Sequence, residues 1–255
     1  NCSAVVNGIA PVSPTTTDNC GITVQTWSLS GATTASSPLT GINDASGQVF
    51  NVGVTTVTYI VEDAAGNSAT CNFTVTVTDN EIPTLVCPAN VAVNNDPGNC
   101  SAVVNGIAPV SPTTTDNCGI TIQTWALTGA TTANSAPAGI NDASGQVFNV
   151  GVTTVTYTVT DAAGNTDNCS FTVTVTDNEA PNVDCPGNVN TTVDAGNCSA
   201  VVNGINPVAL TTTDNCGITI QTWALTGATT ANSAPAGIND ASGQVFNVGT
   251  TTVTY

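Results

Sequence analysis

The sequence contains no Lys, Arg or His, and this absence limits the functions that the protein can have. Its 255 residues include 17 Asp and Glu, so the formal net charge is −17. A chain without basic side chains cannot neutralise phosphate groups, which excludes nucleic acid as a partner. It also lacks the usual general bases and proton shuttles, and it lacks the Lys that an isopeptide crosslink requires. Only a carboxylate pair remains for catalysis, and its candidates, Asp142 and Asp161, are explained more simply as loop or metal-binding residues. We therefore predict that the protein is not an enzyme.

The ten Cys residues indicate disulfides rather than a zinc site. There is no His, and no two Cys have the Cys-x2-Cys spacing that zinc sites favour. Disulfides form in oxidising compartments, so we expect an extracellular or cell-surface protein. The sequence has no signal peptide and no apolar run long enough to span a membrane, and we expect it to be an interior piece of a longer chain.

The sequence repeats itself every 98 residues. The segment Cys-Ser-Ala-Val-Val-Asn-Gly-Ile begins at Cys2, Cys100 and Cys198. A repeat of this length is a complete small domain, because solenoid repeats are 20 to 50 residues long. Boundaries at the two Asp-Asn-Glu joints divide the chain into three units: 1–78, truncated at its N-terminal end; 79–176, complete; and 177–255, truncated at its C-terminal end.

The apolar pattern of the middle unit has the period of β-strands. Val, Tyr and Phe alternate with Thr over 154–160 and 171–176, which predicts two half-buried strands joined by the turn 161–165. Shorter strand signals lie at 90–94, 101–107, 121–127 and 146–150. No stretch has a helical period. About seven strands in a unit of this length, with Trp125 on the third, predict an all-β chain of tandem immunoglobulin-like β-sandwich domains.

A set of motifs recurs in one order along the chain. Cys-Pro stands at 87–88 and 185–186, Gly-Asn-Cys-Ser-Ala precedes the second strand, and Thr-Asp-Asn-Cys occupies 115–118. Asp-Ala-Ala-Gly-Asn follows, and then Cys-x-Phe-Thr-Val-Thr-Val. Together these motifs resemble the hyalin repeat, or HYR domain, over the whole chain. The resemblance implies immunoglobulin-like domains in an extracellular structural or adhesive protein.

Four Cys in each unit permit three pairings. The resemblance favours Cys87–Cys169, because family members with two Cys keep this outer pair. Cys100–Cys118 is then left as the second bridge of the middle unit, and the same reasoning gives Cys2–Cys20 and Cys198–Cys216. We expect Cys71 and Cys185 to have partners outside the sequence.

The acidic joints suggest a metal site between units. In an immunoglobulin-like sandwich the loop after the second strand and the loop before the last strand lie at the pole that the linker reaches. Several carboxylates would meet there without a basic residue, and they would repel one another unless a cation lay among them. Calcium fits best because it takes 6–8 oxygen ligands, with magnesium as an alternative; turns alone also favour Asp and Asn. The predicted ligands are Asp79, Asn80, Glu81, Asp116, Asn117, Asp161 and Asn165 at the first joint, and Asp177, Asn178, Glu179, Asp214 and Asn215 at the second.

Two functions fit these features. The first is a structural repeat of an extracellular filament, stalk or surface fibre, stiffened by disulfides and interdomain calcium, with neighbouring repeats or further copies as its partners. The second is an adhesive module that binds glycan or protein through the loop 130–145. That loop offers a single charged anchor, Asp142, and no aromatic side chain.

Overall fold

The structure is a computed structural model that describes residues 1–11, 16–109, 114–208 and 212–255. Within these ranges the chain forms β-strands and no helix. The first unit contains β1 (Ser3–Val6), β2 (Ile22–Gly31), β3 (Ala35–Ser36), β4 (Gln48–Asn51), β5 (Gly53–Asp63) and β6 (Ser68–Val77). The middle unit contains β7 (Val91–Asn94), β8 (Ser101–Val104), β9 (Ile120–Gly129), β10 (Ala133–Asn134), β11 (Gln146–Asn149), β12 (Gly151–Asp161) and β13 (Thr166–Thr176). The third unit contains β14 (Ser199–Val202), β15 (Ala224–Gly227), β16 (Ala231–Asn232), β17 (Gln244–Asn247) and β18 (Thr251–Thr254).

The middle unit is a sandwich of two sheets. One sheet has the strand order β10-β9-β12-β13-β7, and β8 pairs with β11 in the other. All pairs are antiparallel except β13 with β7, where Val173 lies beside Val91. In its described residues the unit has seven strands, so the predicted immunoglobulin-like, all-β architecture is confirmed.

The core of this sandwich lies between the two sheets. Phe148, Tyr157 and Val155 have no exposed surface, and Trp125 is 8% exposed. On β12, Val155 and Tyr157 alternate with the less buried Thr154, Thr156 and Thr158, as the period of two predicted. The Tyr157 hydroxyl accepts a hydrogen bond from the Ala143 backbone N–H at 2.8 Å, and this bond fixes the loop before β11 against the core.

One predicted strand is too long and one short strand was not predicted, whereas β9, β12 and β13 extend beyond their predicted bounds. The predicted strand over 101–107 ends at Val104, where the chain turns away from β11. β10 has only two residues, and a strand that short leaves no periodic pattern to recognise. Gly129 ends β9 with φ +107°, and a Cβ there would lie 2.5 Å from the Val152 carbonyl oxygen.

Direction of the strands determines which residues share a pole of the sandwich. The linker reaches the pole where β12 ends and β13 begins, at the turn 161–165. β13 and β7 then run in parallel to the opposite pole, where the turn 96–99 leads into β8. Because β8 returns along the sandwich, Cys100 and Cys118 lie at opposite poles of the same unit.

The disulfides follow from this arrangement. Cys87–Cys169 is present as predicted and joins the segment before β7 to β13. The other two bridges cross between units and connect Cys2 with Cys118 and Cys100 with Cys216, each over a sequence separation of 116 residues. The predicted bridges Cys2–Cys20, Cys100–Cys118 and Cys198–Cys216 are therefore wrong.

The physical reason is distance. A disulfide requires Cα atoms within about 7 Å, whereas the four residues of β8 alone span about 13 Å. The two cysteines of each observed bridge lie instead at facing poles of neighbouring units. Their Cα atoms are 4.7 Å apart. The cysteines that form no disulfide are Cys20, Cys71, Cys185 and Cys198, and all four are exposed.

Candidate metal centre at the joints between units

Three carboxylates meet where the linker reaches the middle unit. Asp79 belongs to the linker after β6, Asp116 to the loop between β8 and β9, and Asp161 to the end of β12. Each offers an oxygen, and the three oxygens lie within 4.8 Å of one another. Asp79 is 7% exposed and Asp161 is 3% exposed, so two of the three are buried. The structure thus brings together three of the residues that the sequence predicted as metal ligands.

Local turns hold two of these carboxylates by one oxygen each. Asp79 Oδ1 accepts a hydrogen bond from the Glu81 backbone N–H at 3.2 Å, and Asp116 Oδ1 accepts one from the Cys118 N–H at 2.8 Å. Such turns are the ordinary reason for Asp at these positions. They leave the second oxygen of each carboxylate without a donor.

Asp161 is held more completely. Its Oδ1 accepts the backbone N–H groups of Ala163, Gly164 and Asn165, and its Oδ2 accepts the Asn165 side-chain amide at 2.8 Å. Burial raises the pKa of Asp161, but the hydrogen bonds from Asn165 and from the backbone outweigh burial and bring the pKa below its usual value. Asp161 is therefore an anion in the folded protein at neutral pH.

Unsatisfied buried oxygens mark the same place. In the described part of the chain, the buried side-chain polar atoms without a hydrogen-bond partner are Asp79 Oδ2, Asp116 Oδ2, Asn117 Oδ1 and Asn215 Oδ1. All four are oxygens, and all belong to the two joints. Leaving such atoms unpaired in a buried site is costly. The sequence supplies no basic side chain that could pair with them.

The remaining predicted ligands of the first joint behave differently. Asn80 and Glu81 are exposed, and Glu81 lies outside the group of three carboxylates. Asn165 donates its amide to Asp161 and, at 3.3 Å, to the backbone carbonyl of Asp79. Asn165 thus braces the linker and a neighbouring carboxylate through its nitrogen.

The second joint repeats the pattern with two carboxylates. Asp177 Oδ1 accepts the Glu179 N–H at 3.1 Å, and Asp214 Oδ1 accepts the Cys216 N–H at 2.8 Å. The Asn215 side chain lies beside Asp177, with its amide nitrogen 3.4 Å from Oδ1. The third carboxylate of the repeat would fall at position 259, outside the sequence.

Glu179 was predicted as a metal ligand but contacts the preceding unit instead. Its Oε1 accepts the backbone N–H of Gly98 at 2.7 Å, in the turn that leads into β8. Asn178 also contacts the preceding unit, because its backbone N–H donates to Asn95 Oδ1 at 3.1 Å. The Asp of the joint thus faces the following unit, whereas its Glu faces the preceding one.

Sequence reasoning missed the polar residues that connect the facing poles of neighbouring units. Asn95 is buried, and its amide donates to the Asn99 carbonyl at 2.9 Å. The same Asn99 carbonyl accepts the Asn215 amide of the next unit, also at 2.9 Å. The order of the strands was the available signal, because it puts the turn 96–99 at the pole that faces the next unit.

Comparison with known proteins identifies the family. The sequence profile of the HYR domain matches residues 12–77 and 78–175. The chain belongs to the HYR domain family. Hyalin from Strongylocentrotus purpuratus is 37% identical over 214 residues, which are 82% of this chain and 15% of that hyalin. Hyalin from Lytechinus variegatus is 32% identical over 204 residues, or 77% of this chain and 32% of the relative.

A bacterial protein is also similar to this chain. The serine-rich adhesin for platelets of Staphylococcus aureus (strain MSSA476) is 32% identical over 168 residues, which cover 66% of this chain and 7% of the adhesin. Among solved structures, human CDH23 EC21-23 aligns with 88% of this chain and 79% of its own at 14% identity and a TM-score of 0.32. A TM-score this low supports no conclusion about this chain.

The chain spans 32% or less of the length of each of the hyalin and adhesin relatives. The HYR match and the similarity to hyalin and to an adhesin indicate that this chain is a repeat module of the extracellular adhesion type. Its disulfides agree with an extracellular or cell-surface location. Among the described residues, no helix has the length and apolar character that a membrane span needs.

Proposed function

We propose that the chain is a structural part of an extracellular filament, stalk or surface fibre, in which calcium ions and disulfides join the HYR units rigidly. The observation that carries the proposal is the group of Asp79, Asp116 and Asp161, whose oxygens lie within 4.8 Å of one another. Two of these carboxylates each have one oxygen without a hydrogen-bond partner. No side chain of the sequence can neutralise the group, so the cation has to come from solution.

The ligand set favours calcium. Carboxylate and amide oxygens are the ligands that calcium takes, in numbers of 6–8 and in irregular geometry. Magnesium requires near-octahedral geometry and keeps several waters, which suits a site formed by three separate segments less well. Turn formation explains only Oδ1 of Asp79 and Asp116, because each turn uses one oxygen.

A cation at this position would connect the linker to the following unit. Asp79 belongs to the linker, whereas Asp116 belongs to the loop between β8 and β9 and Asp161 to the end of β12. A cation bound by all three carboxylates would restrict the angle between the linker and the middle sandwich. At the second joint, Glu179 and Asn215 hold the preceding unit by hydrogen bonds to the turn before β8. Metal and hydrogen bonds together would give a joint with one preferred angle.

Thermal unfolding in the presence and absence of calcium tests this proposal. At a free calcium concentration of 100 times its Kd, a site should add about 2.7 kcal/mol to the free energy of unfolding. We expect the melting temperature to fall in EDTA and to recover with calcium more than with magnesium. Hydrogen exchange at 79–81 and 116–118 should slow in calcium, because these backbone segments surround the site.

Sodium chloride at matched ionic strength is the control, because screening alone also reduces repulsion between carboxylates. If calcium, EDTA and the salt control gave the same melting temperature and the same exchange at the joint, the metal proposal would be wrong. The disulfides remain intact in every arm, so a negative result could not be attributed to separation of the units.

A further inference from the structure

The disulfides between units create a short covalent route along the chain. Cys2 is bonded to Cys118, and Cys100 is bonded to Cys216. A path from Cys2 to Cys216 therefore needs only these two bridges and the segment 100–118. That segment is less than a tenth of the main chain that lies between Cys2 and Cys216. We infer that this route is a covalent tether, which carries tension through the units and limits how far the chain can extend.

The limit can be worked out from chain geometry. A fully extended residue spans about 3.5 Å, so the segment 100–118 spans roughly 63 Å. Each bridge adds 4.7 Å between its Cα atoms. The section from Cys2 to Cys216 can therefore reach about 70 Å, compared with about 750 Å for the same section without bridges.

Positions of the bridges direct the tension through one part of each sandwich. In the middle unit one bridge attaches just before β8 and the other just before β9, at opposite poles. The segment between them contains β8 and Asp116. The long strands β12 and β13 lie outside this segment, so their pairing does not have to resist the load.

The bridge within the unit has a different role. Cys87–Cys169 closes the sandwich by joining the segment before β7 to β13. It does not lie on the shortest route between Cys2 and Cys216. Removing it should lower the stability of the middle unit and leave the maximum extension unchanged.

Single-molecule force spectroscopy tests the inference on the chain 1–255, held by its two ends in EDTA without reductant. The section between Cys2 and Cys216 should extend no further than about 70 Å, and the segment after Cys216 should add about 135 Å. A reductant should then release about 680 Å more, which is the difference between the section without bridges and the bridged route.

Two double variants separate the roles of the bridges. With Cys100→Ser and Cys216→Ser, the shortest route runs back from Cys118 to Cys87, across that bridge to Cys169 and on to position 216. This longer route should increase the maximum extension by about 210 Å. With Cys87→Ser and Cys169→Ser the route still runs through 100–118, and the extension should not change. This second result holds even if the variant unfolds, because covalent bonds alone set the limit.

Different bond patterns would give different lengths. If the bridges instead closed within the units, as Cys2–Cys20 and Cys198–Cys216 would, the shortest route would run through 20–87 and 169–198 and reach about 350 Å without reductant. That length, or an increase in the Cys87→Ser, Cys169→Ser variant, would overturn the inference. The experiment is done without calcium, so failure of the metal proposal leaves the result unaffected.

Discussion

Replacement of Asp116 by Asn should change stability in opposite directions with and without calcium. The variant keeps the Oδ1 atom that accepts the Cys118 N–H, so the local turn is preserved. It replaces the unpartnered Oδ2 by an amide nitrogen, which can donate to a neighbouring carboxylate. Without a metal the substitution removes a charge from a crowded group, whereas with a metal it removes a ligand.

The size of each effect follows from the geometry of the site. Oxygens of Asp79 and Asp116 lie within 4.8 Å of each other. Two unit charges at this distance repel by about 3 kcal/mol at an effective dielectric constant of about 20. Asp116 is only half-buried, so solvent reduces this repulsion. We expect Asp116→Asn to raise the free energy of unfolding by about 1–2 kcal/mol in EDTA. In saturating calcium, a tenfold lower affinity for calcium would lower the free energy of unfolding by about 1.4 kcal/mol.

Differential scanning calorimetry in EDTA and in saturating calcium measures both effects. A change of 1 kcal/mol shifts the melting temperature of a domain of this size by about 4–8 °C. Asp18→Asn is the matched control, because Asp18 makes the same turn with the Cys20 N–H at 2.7 Å but is exposed and lies outside the group of three carboxylates. The control should respond equally in the two buffers. If Asp116→Asn lowered the melting temperature equally in both, Asp116 would be a turn residue and the calcium site would be refuted.

Three further predictions concern the middle unit. In chemical denaturation, Gly129→Ala should lower the free energy of unfolding by roughly 1–3 kcal/mol more than Gly139→Ala. Of these two positions, only Gly129 would place the added Cβ 2.5 Å from a backbone oxygen. Equal losses in the two variants would contradict this steric clash. Tyr157→Phe should lower the free energy of unfolding by about 1–3 kcal/mol, because the buried Ala143 N–H loses its acceptor at 2.8 Å. An unchanged denaturation midpoint would argue against this hydrogen bond. Asn165→Ala should raise the pKa of Asp161. Because the pKa of the folded state lies below that of the unfolded state, Asp161 stabilises the fold above about pH 4 and loses this effect as the pH falls through the folded value. Acid unfolding in EDTA, followed by Trp fluorescence, should therefore begin at a higher pH in the variant than in the unaltered chain.

The strand pattern was sufficient to predict most of the fold. Alternation of Val, Tyr and Phe with Thr identified β12 and β13, because these long strands expose one face and bury the other. Strands of two to four residues show too few alternations for their ends to be read from sequence, so β10 was missed and β8 was predicted too long.

The same topology brought Asp79, Asp116 and Asp161 to one pole, as predicted. The role of Glu179 was not predictable from its place beside Asp177. Its side chain meets the turn of the preceding unit, and that turn approaches only after both sandwiches have folded and packed end to end.

Composition and local pattern were enough to establish the 98-residue period, the family, the all-β fold and the lack of an internal counterion for the carboxylates. Folding does not alter these properties. Pairing of the cysteines, in contrast, depends on the folded chain. Cys100 and Cys118 are close in sequence, but β8 carries them to opposite poles, and the partner within bonding distance belongs to the neighbouring unit. Distance along the chain and distance in space differ most where a strand crosses the domain, and for this reason only the folded structure revealed that the units are covalently joined.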